Sequence, residues 1–453
     1  MVSLTFYGGA NEIGGNKILL TDKDAKIYLD FGQSFDFGEE YFYEYLQPRA
    51  ANGLEVYFEF GMVPKVKKLY SKGMLELTDL KYEKPDIDAV FISHSHSDHM
   101  SHLQFLDEEI PIYMGHGTHK ILETYRTIYP QFYNIGEHAS LNLFKSGDKI
   151  KIKHLVIEPI HVEHSVPGAY GFIIHTSVGP LIYTGDLRMH GPQSRMTQEF
   201  VEKSAKCKPY AMLMEGTRMG SEQEHNYTEA EVEIRVEQII KASEGIVFGY
   251  FSMSNVDRFM SFYNAAVKHG KKMVIDTKFA YILENMKEKI PTLPDVMTDE
   301  NILVYYRMAK SGTYSEKDYF VYERKFMPKM ATYKEVAKNQ KKLVMHMSFN
   351  KLMELVYIQP KNADYVYSSS EHFLEGEDKE DERRVLENWM KHFKVTFHKD
   401  AHCSGHASRH DLEEMVRMIN PKVLIPIHTQ NAEEFRKIHS NVMVPEKGRE
   451  YEI

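Results

Sequence analysis

The chain has 453 residues, 42 % hydrophobic and 27 % charged, ordinary values for a globular protein with apolar surface enough for one large or two medium cores. A formal charge of −9 argues against a protein that coats nucleic acid without selectivity, and no run of about 18 apolar residues offers a membrane span. Two cysteines, Cys207 and Cys403, exclude a disulfide framework and a cysteine-rich zinc site; with an opening that lacks the pattern of a secretory signal, they point to a reducing cytoplasm.

In chain order, a glycine-rich opening, Gly8-Gly9-Ala10-Asn11-Glu12-Ile13-Gly14-Gly15-Asn16, precedes the apolar run KIYLDFG, which predicts a buried strand ending at Asp30. Residues 34–83 are rich in Tyr and Phe without periodicity. Stacking on nucleobases is one use for them; packing inside an insertion is the ordinary one. The next run, AVFISH, predicts a strand that leads directly into His94-Ser95-His96-Ser97-Asp98-His99. Further strands are predicted at PLIYTGD, ending at Asp186, and at YAMLMEGTR, which carries Glu215 at its end. A helix is predicted over 228–243, followed by strands at GIVFGYFS, KKMVIDT, KLVMHMS and ADYVYSS. The charge run EGEDKEDERR, 375–384, reads as a solvated helix start. Last come His402-Cys403-Ser404-Gly405-His406, a helix over 412–419 behind a Ser408/Asp411 capping box, and the strand KVLIPIH ending at His428. Strands alternating with helices imply an α/β layered architecture.

Neutral imidazoles and carboxylates are what borderline divalent metals such as zinc accept in the absence of thiols. His94 and His96 alternate along an extended segment and so point the same way, while Asp98 and His99 follow as the chain turns into a helix. One strand end can therefore feed two adjacent metals. With His at roughly one position in twenty, a fixed H-x-H-x-D-H pattern arises by chance in only about a few chains per thousand.

H-x-H-x-D-H after an apolar strand resembles the signature of the metallo-β-lactamase fold, a four-layered αββα sandwich with its metals at one edge of the sheets. The remaining pieces occur in order: Asp30, His164 in EHSVPGAYGF, and Asp186. The resemblance implies that His94, His96 and His164 hold one metal, that Asp98 and His99 hold a second, that Asp186 bridges them, and that Asp30 orients ligands. Two zinc ions are implied, with manganese as the alternative. His161 competes with His164, and the Ser-Val-Pro-Gly that follows His164 matches the family's third motif. His102, His116, His119 and His190 are left as surface residues or as supports for ligands.

Glu215, His406 and His428 resemble motifs A, B and C of the β-CASP nucleases, which insert a second α/β domain. The implied division is 1–216 for the first part of the metallo-β-lactamase domain, 217–397 for the β-CASP domain and 398–453 for the return segment. Within that group the glycine-rich opening, Ser254-Asn255-Val256-Asp257-Arg258 and the H-x-S-G-H at 402–406 resemble the ribonuclease J family. A His at motif C is the pattern of the RNA-processing members; DNA-repair relatives typically carry Val. Two departures stand out: the chain ends soon after motif C, so the family's separate carboxyl-terminal domain is expected to be missing, and 34–83 is a longer insertion than the pattern requires.

The resemblance implies hydrolysis of phosphodiester bonds in single-stranded RNA, with Asp98, Asp186, Glu215 and His406 catalytic and His428 completing the second metal site. It further implies a 5′-to-3′ exonuclease preferring a 5′-monophosphate, held by Ser254, Asn255, His402, Ser404 and Gly405, with internal cutting alongside. The alternatives are a metallo-hydrolase of a small ester, lactone or thioester, a DNA-acting β-CASP nuclease, or a scaffold that has lost catalysis. A small-ester hydrolase accounts for 1–190 equally well, but not for the domain that separates Glu215 from His406. No membrane partner is expected. A homo-oligomer is compatible with the sequence, which carries no signal for or against it.

Overall fold

In the computed structural model, which describes residues 1–35, 41–42, 46–130, 140–220, 227–370 and 380–453, all nine apolar runs form strands. The chain divides into two units, Met1–Met189 with Gln193–His225 and Gly405–Ile453, and His190–Pro192 with Asn226–Ser404. These changeovers fall later than 216/217 and 397/398. Met219 is buried with Leu412 and Phe435 in a core of the first unit, while Cys403 donates to Glu229 in the second.

The first unit contains two mixed sheets. One runs in the order Glu450–Glu452, Val2–Gly8, Lys17–Asp22, Ala25–Leu29, Ala89–Ile92, Ile112–Gly115 and Leu141–Phe144, antiparallel up to Ala25–Leu29 and parallel beyond it. The other runs Val423–Ile427, Ala211–Glu215, Gly179–Tyr183, Ala169–Thr176, Leu155–Val162 and Ile150–Ile152, with its first three strands parallel. Alternation assigns the faces. Leu4, Leu20, Ile27 and Phe91 of the first sheet pack with Phe172, Leu181, Leu213 and Ile425 of the second to make the central core. Val90, Ile92 and Met114 point to the opposite face, where they meet Leu122 of the helix His116–Ile128. Ile182, Met212 and Leu424 do the same on the second sheet against Phe200 of Ser194–Lys206 and Leu412 and Val416 of Arg409–Ile419. The layers are therefore αββα, as the family resemblance implies.

The helix Arg409–Ile419 begins where its cap dictates: Ser408 Oγ accepts from Asp411 N at 3.1 Å and the Asp411 carboxylate accepts from Ser408 N at 3.2 Å. The aromatics of the insertion are packing residues where they are described. Tyr57 and Tyr70 are buried with Leu54, Leu69 and Phe105, and Tyr57 meets Phe105 edge-on at 4.8 Å. Residues 36–40 and 43–45 of that insertion, and 375–379 of the charge run, lie outside the described residues; 380–384 open the helix Glu380–Phe393. Among the described residues no helix is long and apolar enough to cross a membrane.

The second unit holds one all-parallel sheet, in the order Met330–Ala331, Ile302–Tyr305, Lys272–Asp276, Leu343–His346, Val247–Tyr250, Asp364–Tyr367 and Thr396–His398. Its preceding helix, Glu229–Ala242, is capped by Thr228 in a box with Glu231. His346 ends a central strand and is buried between Phe251 and Phe279, donating from Nε2 to Phe251 O at 2.9 Å. Burial lowers its pKa from 6.5 to about 4. The unfolded chain therefore takes up a proton near pH 6.5 that the folded one refuses until about pH 4. The stability this neutral ring contributes is present above pH 6.5 and lost as pH falls through that window. Between pH 7 and pH 4 the free-energy gap between wild type and His346→Phe should change by about 3 kcal/mol, read from denaturant unfolding at each pH.

Candidate functional site

Five strand ends build the site. Asp30, His94, Asp186, Glu215 and His428 each stand at, or within three residues of, the carboxyl end of a strand: Ala25–Leu29, Ala89–Ile92, Gly179–Tyr183, Ala211–Glu215 and Val423–Ile427. Those strands run parallel within each sheet, so their carboxyl ends fall on one edge. Asp30 and His428 leave their strands with φ of 57° and 52°, the left-handed turn that re-aims each side chain, and His428 N is anchored on Gly9 O at 2.8 Å. Two glycines let the loops close over the His-rich turn. A Cβ on Gly14, at φ 76°, would stand 2.7 Å from Asp98 Cβ, and one on Gly32 would stand 1.9 Å from the Asp98 carbonyl carbon.

Three imidazole nitrogens converge first. His96 Nδ1 lies 3.1 Å from His94 Nε2 and 3.0 Å from His164 Nε2, and Asp186 Oδ2 is 3.6 Å from the former and 3.8 Å from the latter. A second set follows: Asp98 Oδ2 is 2.9 Å from His428 Nε2 and 3.3 Å from His99 Nε2, and Asp186 Oδ2 is 3.1 Å from His99 Nε2 and 3.6 Å from His428 Nε2. Within each set the donor atoms lie within 4.8 Å of one another. Asp186 is the member the two sets share. Both Asp186 oxygens, Asp98 Oδ1 and His99 Nε2 are buried with no hydrogen-bond partner among the described residues. Buried lone pairs cost free energy unless something positive meets them, so this donor set fits divalent cations.

In the first set the charge states favour the same use. Burial lowers the pKa of His94 and His164 well below the ordinary value and that of His96 to about 4, keeping them neutral and able to donate a lone pair. Burial works against charge on His99 too, yet Asp186, Asp98 and Asp30 push its pKa well up. Asp98, despite burial, is held well below the usual carboxylate range by His99 and His428.

The rings of His99, His164 and His428 are oriented through their other nitrogen. Asp30 accepts from Ser93 N at 2.7 Å, from Ser93 Oγ at 2.8 Å, from the Tyr183 hydroxyl and from His99 Nδ1 at 2.7 Å, which fixes the proton on Nδ1 and leaves Nε2 for the second set. His164 donates from Nδ1 to Gly405 O at 2.6 Å, and Thr217 Oγ1 lies 2.8 Å from His428 Nδ1. Asp30→Asn, which tolerates the left-handed turn but cannot accept all of those bonds, should weaken metal affinity about 10- to 100-fold in a chelator competition titration.

His406 stands beside the two sets. Its Nδ1 is 3.3 Å from Glu215 Oε1, 3.2 Å from Thr217 Oγ1 and 3.9 Å from Asp186 Oδ2. Burial opposes its charge, but Glu215 and Asp186 prevail and raise its pKa to about 9. Glu215 is itself held by Thr217 N at 3.0 Å. The supports Ser93, Tyr183 and Thr217 are absent from the sequence reading. Ser93 and Thr217 flank motif residues and so were within reach of it; Tyr183 meets Asp30 only through the fold.

The other histidines separate clearly. His161 turns its ring onto Tyr170 at 4.2 Å and belongs to neither set, and His119 faces Glu123 on its own helix at 3.8 Å. His102 is not at the surface: it is buried against Tyr57 and Phe105. His190 donates from Nε2 to Ser404 O at 2.7 Å.

Ser254, Asn255, His402 and Ser404 fall in the second unit and Gly405 in the first. Asn255 Oδ1 caps the helix Val256–Lys268, accepting from Arg258 N at 3.0 Å, and Ser254 Oγ lies 2.9 Å from Ser252 Oγ. Neither Ser254 nor Ser404 caps a helix; Asn255 and Ser408 do. The fully buried Arg258 ties this loop to the other segment. It donates to the Glu229 carboxylate, to Ser368 O at 2.7 Å, to Cys403 O at 3.3 Å and to His402 Nδ1 at 3.2 Å. The last bond leaves the His402 ring proton on Nε2.

Comparison with known proteins places these residues in context. Residues 73–239 match the model described as the beta-lactamase superfamily domain, and residues 393–438 match the Zn-dependent metallo-hydrolase RNA specificity domain. Ribonuclease J of Sinorhizobium meliloti is 24 % identical over 374 residues, 79 % of this chain and 60 % of that protein. Ribonuclease J 2 of Streptococcus pyogenes is 20 % identical over 468 residues, 99 % of this chain and 75 % of that one. The chain thus spans 60 % of the length of the Sinorhizobium relative. A crystal structure of a protein of unknown function from Enterococcus faecalis V583 superposes with a TM-score of 0.76 at 22 % identity, covering 99 % of both chains.

Proposed function

We propose that this chain, which carries a beta-lactamase superfamily domain and is similar to ribonuclease J, is a two-metal hydrolase of single-stranded RNA. The observation that carries the proposal is the position of Asp186: one carboxylate oxygen faces both ligand sets, with the Glu215–His406 pair next to it. His94, His96 and His164 would hold one cation and Asp98, His99 and His428 the other, shared through Asp186. The chemistry two divalent cations supply when bound is activation of water and neutralisation of charge on phosphoryl oxygens. His406, with Glu215 stabilising a proton on Nδ1, would bind the scissile phosphate or hand a proton to the leaving oxygen. Asp30, Ser93 and Thr217 would hold the rings in place. The match of 393–438 to an RNA specificity domain, which spans His402 to His428, supports RNA over a small ester.

The finer reading is a 5′-to-3′ exonuclease that prefers a 5′-monophosphate and works in the cytoplasm. Its support in this chain is chemical: the His402 Nε2–H and the hydroxyls of Ser254 and Ser404 are the donors a terminal phosphate would take, and Arg258 fixes His402 among them. The test compares degradation of one RNA bearing a 5′-monophosphate, 5′-triphosphate or 5′-hydroxyl by wild type and Ser404→Tyr. Monophosphate-dependent release of mononucleotides by wild type alone is expected. Identical internal fragments from all three RNAs, unchanged in the variant, would refute the exonuclease reading.

A further inference from the structure

The second unit carries a surface that neither the ligand sets nor the terminal-phosphate residues use. Phe320 and Val321 are neighbours, 72 % and 77 % exposed. The segment that presents them is not short of anchors: Tyr319 and Phe326 on either side are buried, the Tyr319 hydroxyl donates to Arg307 O at 2.9 Å, and Phe320 N donates to Glu323 Oε2 at 2.8 Å. The chain buries what its core needs and still turns this adjacent apolar pair outward, which scattered surface hydrophobicity does not explain. Phe320 also lies parallel to Tyr322, with ring centroids 6.1 Å apart and planes 6° apart, and Tyr322 meets Tyr281 at 5.1 Å. Lys325 Nζ stands 5.8 Å above the Tyr281 ring.

Charge around these rings is opposite to that of the chain. Residues 307–329 carry six cationic side chains, Arg307, Lys310, Lys317, Arg324, Lys325 and Lys329, against three carboxylates, in a protein of net charge −9. Two of those carboxylates are turned into the segment: Asp318 accepts from Ser311 and Ser315, and Glu323 from Thr277 and Phe320. Arg307, Lys310 and Lys317 are exposed. The segment follows the strand Ile302–Tyr305, so it leaves the carboxyl edge of the parallel sheet, the same edge from which Ser252–Asn255 leaves Val247–Tyr250. Three strand spacings, about 14 Å, separate the two strands.

We propose that Phe320, with Tyr322 and the surrounding Arg307 and Lys317, is a stacking platform for the bases of single-stranded RNA. Exposed rings bind any base through its face, and flanking cations track the phosphates, which is the chemistry of strand binding without sequence preference. A protein partner would use the apolar pair but leave the local excess of cations without purpose. The inference takes its partner from the ribonuclease reading, so the test separates the two. Binding of a 3′-labelled oligouridylate of 20 nucleotides is followed by fluorescence anisotropy in the presence of chelator, and RNA hydrolysis is measured in parallel with metal. Phe320→Ala, at an exposed position where folding is not at stake, should weaken binding about tenfold. Arg307→Ala with Lys317→Ala should flatten the salt dependence by about 0.7 per charge removed. Loss of binding in these variants supports the platform even if wild type hydrolyses no RNA, an outcome that defeats the activity reading alone. Unchanged binding and salt slope in all variants overturn the platform, whether or not wild type hydrolyses RNA. Loss of self-association on sedimentation with RNA binding intact overturns it as well, and gives the surface to a second copy of the chain.

Discussion

Asp186→Ala is expected to abolish RNA hydrolysis, by at least about 10³-fold, which corresponds to roughly 4 kcal/mol of transition-state stabilisation. The reason is positional. Asp186 Oδ2 lies between 3.1 and 3.9 Å from nitrogens of His94, His99, His164, His406 and His428, and it is the one member common to both ligand sets. Truncation would remove an anionic donor from each set at once, and would leave the cations those sets are proposed to hold without the carboxylate the sets share. Metal analysis after gel filtration should show that the variant retains less than one ion per chain. Asp186→Asn serves as the control for volume: it fills the same space without the charge and should lose activity as well. Wild-type turnover with full metal content in either variant would contradict the bridging role.

The second large effect separates His406 from His428. His428 Nε2 points at Asp98 and Asp186 and is buried, whereas His406 faces Glu215 and retains 20 % side-chain exposure. His406→Ala should therefore lower kcat by about 10²- to 10³-fold while both metals remain, since it removes a proton donor or a phosphate contact. His428→Ala should lose affinity at one metal site and recover part of its activity when metal is added in excess. Equal metal loss in both variants would mean that His406 is a ligand as well, which contradicts the separation of roles.

How far the sequence reaches is clearest at the ligands. His94, His96, Asp98 and His99 lie within six residues, so local geometry alone brings them together, whereas His164, Asp186 and His428 are reached only through the family resemblance. Apolar runs were sufficient for nine of the 20 strands among the described residues, because burial on both faces leaves few alternatives for sequences such as AVFI and VLIPI. What lay beyond the sequence is of two kinds. Contacts across sheets, such as Tyr183 on Asp30 or Gly405 O on His164, depend on pairings 153 and 241 residues apart and leave no periodic trace. Long-range packing near the unit boundaries was the other: Met219 is buried with Leu412 and Phe435, and Cys403 donates to Glu229, contacts that no composition change announces. Asn255 shows the same limit at a finer scale. Its Oδ1 caps a helix, and only the hydrogen bond from Arg258 N reveals it.

The most direct measurement is the hydrolysis of a uniformly labelled single-stranded RNA with a 5′-monophosphate by protein stripped with chelator and then titrated with zinc or manganese, with a generic ester assayed in parallel. The account predicts no RNA cleavage by the stripped protein, recovery that saturates near two ions per chain, and no comparable turnover of the ester. RNA cleavage that is indifferent to metal, or an ester hydrolysed by the metal-loaded protein while the RNA stays intact, would contradict it.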